Sequence, residues 1–215
     1  MKKGLLLVYL ILFVFLLNAQ SFRGGLNLGF NISQVDGDNH GGYRKISPAG
    51  GLFVRNDFKH PNWGMSLAIL YKNKGSRATF RDDNGDIIGK YSINLHYIEI
   101  PIMFDYFIEK IGIPGLFNYN FKNDLHFEFG PSLGYLVKGL EEIDKVDLKR
   151  MNFKKFEIAL HVGLVYRLSP HWLLNYRFSY TFPFTPIHPH AGGQTRGLNR
   201  GMYNNNMNFS VCYEF

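Results

Sequence analysis

Phe156-Glu157-Ile158-Ala159-Leu160-His161-Val162-Gly163-Leu164-Val165-Tyr166-Arg167 is the stretch that decides the fold. Its even positions, Phe156, Ile158, Leu160, Val162, Leu164 and Tyr166, are all large and apolar. Its odd positions, Glu157, Ala159, His161, Gly163, Val165 and Arg167, are mostly small or polar. Successive side chains of a strand point to opposite faces, so a period of two predicts a strand with one greasy face and one small, polar face. After Ser169-Pro170-His171 the alternation resumes. Trp172, Leu174, Tyr176, Phe178, Tyr180 and Phe182 stand against Leu173, Asn175, Arg177, Ser179 and Thr181. Three turn-forming residues between two such runs predict a tight antiparallel hairpin.

The same period recurs outward from this hairpin. Leu26, Leu28, Phe30 and Ile32 alternate with Asn27, Gly29, Asn31 and Ser33. Trp63, Met65, Leu67, Ile69 and Tyr71 alternate with Gly64, Ser66, Ala68, Leu70 and Lys72. Leu125, Phe127, Phe129, Leu133, Tyr135 and Val137 alternate with His126, Glu128, Ser132, Gly134 and Lys138. Met207, Phe209, Val211, Tyr213 and Phe215 alternate with Asn206, Asn208, Ser210, Cys212 and Glu214. Residues 46–58 form a less regular strand, with Leu52 and Val54 against Arg55 and Asp57. In 91–106 the apolar set changes from Tyr91, Ile93, Leu95 and Tyr97 to Ile98, Ile100, Ile102 and Phe104. That change reads as a parity flip at a β-bulge near Tyr97-Ile98, with Glu99, Pro101 and Asp105 on the face of Ser92, Asn94 and His96. The expectation is therefore an all-β, eight-stranded antiparallel up-and-down barrel. Its long polar connections alternate with short turns, as in barrels whose two ends meet different compartments.

Two barrels fit this pattern: a secreted lipocalin-like barrel, apolar inside, and a transmembrane barrel, apolar outside. The second face decides between them. A water-facing exterior is crowded with charge. Here that face is Gly, Ala, Ser and Asn with one or two charges per strand, which suits the cramped lumen of an eight-stranded barrel. Aromatic residues gather near segment ends, at Trp63 and Tyr71, Tyr166 and Trp172, and Tyr213 and Phe215, as interfacial girdles do. Each clean segment reaches the roughly 9–11 residues a tilted strand needs to cross a bilayer. In hydrocarbon an unpaired backbone group is costly, so the first strand is expected to pair with the last.

Composition agrees. Of 215 residues, 46% are hydrophobic and only 19% charged, and a single cysteine excludes a disulfide framework and a Cys-rich zinc site. Lys2 and Lys3 precede an unbroken apolar run over 4–17 and then Asn18-Ala19-Gln20, the pattern of a cleaved signal peptide over residues 1–20. Residues 21–215 are then the barrel domain. Removing the leader takes two of the 24 basic residues and none of the 17 acidic ones, leaving a net charge of +5. The basic residues are scattered, with no stripe of interleaved stacking aromatics, so nucleic acid is not an expected partner.

Several motifs resemble a known family. Tyr97-Ile98-Glu99-Ile100-Pro101-Ile102, Gly130-Pro131-Ser132-Leu133-Gly134-Tyr135 and the opening over 25–31 resemble the PorT-like small outer-membrane β-barrels of Bacteroidetes-type bacteria. The terminal alternation through Tyr213 and Phe215 resembles the signal read by the barrel-assembly machinery, with Phe209-Ser210 where many such signals carry glycine. The resemblance implies an outer-membrane location in a Gram-negative bacterium, contact with outer-membrane lipid, and, for some members, an accessory role in protein secretion.

The chemistry-bearing residues divide into an interior set and an end set. Glu99, Glu128, Glu157 and Glu214 face the lumen against Arg55, Lys72, Lys138, Arg167 and Arg177, with Asp105 near one end. Buried charges must pair or neutralise, so these predict a salt-bridge network filling the barrel. Ser132 with His161 or His126 is the formal alternative, a hydrolytic pair in a lipid-modifying enzyme. His188 and His190 lie in a loop without Cys, Asp or Glu, and no metal or other cofactor is expected. Asn84-Gly85 reads as a hairpin tip. The connection over 107–124 is unusually apolar. Ile111, Ile113, Leu116 and Phe117 mark it as an extension of its flanking strands, as a segment lying on the membrane surface, or, more sharply, as a contact for a membrane or periplasmic protein partner. The function expected is structural or interaction-based rather than enzymatic.

Overall fold

Alternation along the chain becomes, among the described residues, ten antiparallel strands in the computed structural model. It describes residues 22–58, 62–113, 117–144, 146–147, 152–189 and 201–215, with the side chains of 109–113, 117–123 and 147 left aside. The expected leader over 1–20 lies outside the described residues, as do Leu116 and His190. The strands are β1 (Arg23–Asp36), β2 (Lys45–Asp57), β3 (Trp63–Arg81), β4 (Ile87–Ile113), β5 (Phe117–Ile143), β6 (Val146–Asp147), β7 (Phe156–Arg167), β8 (Trp172–Thr181), β9 (His188–Pro189) and β10 (Gly201–Glu214). Eight long strands run in the order β1-β2-β3-β4-β5-β7-β8-β10, and β1 pairs with β10 from Gly25↔Glu214 to Asp36↔Tyr203. That pairing closes the barrel. The two-residue strands β6 and β9 add to β5 and β10 at the loop end.

Closure leaves the large apolar side chains on the outside. Leu28, Ile46, Leu52, Ile69, Val137, Phe156, Leu160 and Trp172 are all exposed, while Asn31, Ser33, Glu99, Asp105 and Thr181 are fully buried. A contiguous apolar exterior of this extent marks a lipid-facing surface. Phe22, Phe215 and the tight turn at Ser169–His171 lie at one end, called here the terminal end. There Leu168 N and Ser169 N both donate to Trp172 O. At the other end, the loop end, Gly85 takes φ +87 in the expected Asn84-Gly85 tip, a conformation glycine adopts without steric cost.

Strand β4 corrects one expectation. Tyr91, Ile93, Leu95 and Tyr97 are buried, and so are Glu99, Pro101, Met103 and Asp105, whereas Ile98, Ile100, Ile102 and Phe104 are exposed. Odd residues face inward along the whole stretch, and the parity never flips. What changes is the surroundings. Outside the bilayer the strand returns to the polarity of a water-soluble protein, polar outward at Ser92, Asn94 and His96 and apolar inward. Val35, Ala78, Tyr91, Ile93, Leu95, Tyr97, Leu136, Phe153, Ile187 and Met202 pack together as an apolar cap inside the loop end. A bulge does occur at this level, but on the neighbouring strand. His96 pairs with Lys138 and Tyr97 with Leu136, so the extra residue is Val137 of β5. That bulge turns Lys138 outward, where it is exposed, instead of into the lumen as expected.

Strand length carries the second distinctive feature. β4 and β5 have 27 residues each and β3 has 19, whereas β7 has 12 and β8 has 10. About 9–11 residues suffice to span. The surplus at the loop end of β3, β4 and β5 builds the capped extension. At the terminal end β3 stops pairing at Trp63↔Tyr106 and β7 at Leu125↔Tyr166. β4 and β5 continue past both as a hairpin, through Lys110↔Asn120, Ile111↔Tyr119 and Ile113↔Phe117. The apolar connection is thus an extension of its flanking strands, one of the forms expected.

Candidate functional site

The inward faces of the strands carry polar side chains, and the closed register stacks the charged ones into tiers. In the tier beneath the apolar cap, Lys72 and Lys74 of β3 meet Glu99 of β4 at 2.7 and 2.5 Å. Lys74 also reaches across the lumen to Glu157 of β7 at 2.9 Å. Glu157 further accepts from Thr181 Oγ1 at 2.5 Å and Asn204 Nδ2 at 3.0 Å. Lys72, Lys74, Glu99 and Glu157 are all fully buried or within 1% of it. Two cations face two anions, so the tier is neutral.

The next tier repeats the balance. Arg177 of β8 grips Glu128 of β5 through Nε and Nη2, at 2.7 and 2.9 Å, and Asn175 donates to the same carboxylate at 2.8 Å. Two parallel N–H···O bonds are the geometry a guanidinium makes best with a carboxylate. Arg55 of β2 spans β3 to reach Asp105 of β4 at 2.8 Å, and its Nη2 lies 2.7 Å from His126 Nδ1. At the terminal end Arg167 pairs with Glu214 at 2.8 Å, Arg23 Nε approaches Glu214 at 3.9 Å, and Arg23 also pairs with Asp57.

The structure thus places all eight sequence-assigned interior residues, Arg55, Lys72, Glu99, Glu128, Glu157, Arg167, Arg177 and Glu214, in ion pairs, most of them joining strands that are not neighbours in the sheet. Sequence reasoning missed Lys74 and Lys45. Lys74 shares parity with Leu70 and Lys72, and following that parity past Asn73 would have found it. Lys45 Nζ donates to Asn73 Oδ1 and Ile93 O, each at 2.8 Å, and to Lys74 O. It bridges the place where β2 begins, next to Gly75 at φ +129, beyond the last β2–β3 pair and where, among the described residues, β3 continues paired with β4 alone. A Cβ on Gly75 would stand 2.0 Å from Ile93 O.

At the level of the second tier, a cavity of about 40 Å³ lies among Asn27, Arg55, Met103, Glu128, Leu173 and Cys212. That is room for a very few waters. Ser132 Oγ and His161 Nε2 stand 2.7 Å apart, both buried. Glu99 Oε1 lies 3.6 Å from that same Nε2, and His161 Nδ1 has no hydrogen-bond partner among the described residues. Tyr213 and Phe215 pack edge to face, 5.9 Å between centroids, on the outside of β10 and the residue after it. Ile111, Ile113 and Phe117 occupy paired positions of the free hairpin.

A family model described as outer membrane protein beta-barrel domain matches residues 18–188, well over half of the chain. Among solved structures the chain is similar to Ail, the attachment invasion locus protein of Yersinia pestis, at 13% identity and TM-score 0.45, over 90% of this chain and 99% of that one. It is also similar to OprG from Pseudomonas aeruginosa, at 13% identity and TM-score 0.38, over 90% and 94% of the two chains. The Escherichia coli outer membrane protein W is similar at 13% identity and TM-score 0.34, over 89% and 98%. No curated protein matches the sequence. On the family match, and in keeping with the closed, lipid-faced barrel, the chain belongs to the outer membrane protein beta-barrel domain family and resides in the outer membrane of a Gram-negative bacterium.

Proposed function

We propose that this protein is a sealed barrel that works at its ends, as a structural or accessory protein-binding subunit of an envelope or secretion assembly. The observation that carries this reading is the hairpin of β4 and β5. Beyond Tyr106 and Leu125 it has no neighbouring strand on either side among the described residues, yet its sequence is apolar. Its register sets Ile111 beside Tyr119 and Ile113 beside Phe117. An exposed strand pair with apolar residues is a template for a partner. The termini and this hairpin are assigned to the periplasm, the loops to the cell exterior, and residues 1–20 to a cleaved leader. Tyr213 and Phe215 are assigned to the signal for the barrel-assembly machinery, and the motif around Glu99 to the PorT-like branch.

Two rival activities find little support in the interior. A channel needs an open path, and here neutral ionic tiers and an apolar cap fill the lumen. A hydrolase of the Ser-His-acid type needs the acid on the imidazole nitrogen opposite the nucleophile. Glu99 sits on the same side as Ser132 instead, and Ser132 is buried.

The test is removal of residues 109–121, with a short turn in their place, followed by mild-detergent purification. Heat-modifiable migration checks that the barrel still closes. The expected result is a folded barrel that loses specific envelope proteins that copurify with the wild type. An identical set of copurifying proteins in both would remove the docking role.

A further inference from the structure

The register that builds the lumen also fixes where the strands leave hydrocarbon. Tyr71, Ile98, Tyr135 and Phe156 stand side by side on β3, β4, β5 and β7, all exposed. This is an apolar, aromatic row of the kind that ends a lipid belt. One row nearer the loop end, Asn73, His96 and Lys138 stand side by side on β3, β4 and β5. The Tyr71 hydroxyl bonds His96 Nδ1 at 2.8 Å and ties the two rows together. With that hydroxyl donating, His96 keeps an N–H on Nε2 as a donor. At the β5–β7 border Leu136 N donates to Lys155 O at 2.7 Å, which brings the exposed Lys154 and Lys155 to the same level. The nearest outward carboxylate on these strands, Glu142, is engaged higher up by Ser92 at 3.3 Å and Asn94 at 3.2 Å. Across the barrel β1 carries Asp36 at its loop end instead.

We propose that Lys138, His96 and Lys155 form a site for the phosphate group of an anionic lipid in the outer leaflet. The proposal rests on the orientation given above, with the loop end outside. Its occupant is a lipid and not a free anion because the site lies on the convex outer wall, directly above the aromatic row, at headgroup height. Lysine binds phosphate as a compact charge, and Lys138 is turned to that position by the bulge at Val137, which otherwise has no pairing role.

The experiment uses the folded barrel in mild detergent and native mass spectrometry with three lipids. These are a bisphosphorylated glucosamine lipid, its dephosphorylated counterpart and phosphatidylglycerol. Wild type is compared with the double variant Lys138→Gln, Lys155→Gln, and heat-modifiable migration confirms that both are folded. The wild type is expected to retain the bisphosphorylated lipid in preference to the other two. Each lysine removed should weaken that retention by about fivefold, the worth of one basic residue near an anionic lipid surface. Equal retention of the phosphorylated and dephosphorylated lipids, or an unchanged preference in the variant, would overturn the site. Stronger retention of phosphatidylglycerol would overturn the outer-leaflet assignment and with it the orientation, while displacement by millimolar inorganic phosphate would overturn the lipid assignment alone. Deleting 109–121 touches none of these residues, so the docking role and the lipid site fail separately.

Discussion

Replacing Lys74 by methionine is the most demanding test of the interior. Lys74 is fully buried and bridges Glu99 at 2.5 Å and Glu157 at 2.9 Å, holding β3 to β4 and, across the lumen, to β7. At an effective dielectric near 20 each contact represents about 6 kcal/mol of gross attraction. Most of that is offset by the cost of taking the ammonium out of water. The larger consequence is what methionine leaves behind, two buried carboxylates sharing the single charge of Lys72. Breaking a buried pair from one side costs about 3–5 kcal/mol, roughly two to nearly four decades in the unfolding equilibrium. Urea unfolding in lipid vesicles at neutral pH reads this through the two tryptophans, Trp63 and Trp172, both on the outer wall. The double variant Lys74→Met, Glu157→Gln restores neutrality and should recover most of the loss, since glutamine keeps acceptors for Thr181 and Asn204. A Lys74→Met protein within about 1 kcal/mol of wild type, a span no larger than an exposed ion pair is worth, would refute the tier as a cross-lumen brace.

The polarity inversion on β4 predicts opposite tolerance at two outward positions six residues apart. Ile100→Arg places a charge in the belt and should cost about 2–4 kcal/mol, whereas Asn94→Arg lies above it beside Glu142 and should cost less than about 1 kcal/mol, by the same unfolding measurement; equal costs would misplace the boundary. In the loop between β1 and β2, burial raises the Asp38 carboxyl above its ordinary value, although Oδ1 accepts from His40 N at 2.8 Å. A raised value means that Asp38 favours the folded loop most below pH 3.8, and that this contribution is lost as pH rises through the folded value. Asp38→Asn should therefore slow amide exchange at His40 at neutral pH, with the difference closing as the pH falls through that value. Faster exchange in the variant at neutral pH would reverse the assigned sign.

Much of this molecule was legible in one dimension because the barrel converts alternation directly into inside and outside. From Phe156 to Arg167 every residue faces as its parity dictates, and the same holds for β8 and the lower part of β10. The paired interior charges followed from the same rule, since a charge on the small-residue face has nowhere to go but the lumen. Parity read through chemistry failed at Tyr91–Tyr97, for a physical reason. A sequence reader infers the inward face from polarity, but polarity depends on what lies outside the strand, and that changes from lipid to water part-way along β4. The bulge displaced by that error belongs to β5, where Val137 and Lys138 offer no warning because an outward lysine just past the belt and an inward one in an ionic tier look alike.

Period and turn residues thus pointed to a closed eight-stranded barrel, and the small, sparsely charged second face put the apolar side chains toward lipid, where the cost of unpaired backbone requires closure. Only the tertiary structure decided which charges meet. Lys74–Glu157, Arg55–Asp105 and Arg177–Glu128 each join strands that are not neighbours in the sheet. Such pairings depend on closure and register, which set the relative height of residues far apart in sequence. The same register set the level at which each strand leaves the bilayer, and so made Lys138 a surface cation at headgroup height rather than a member of the core.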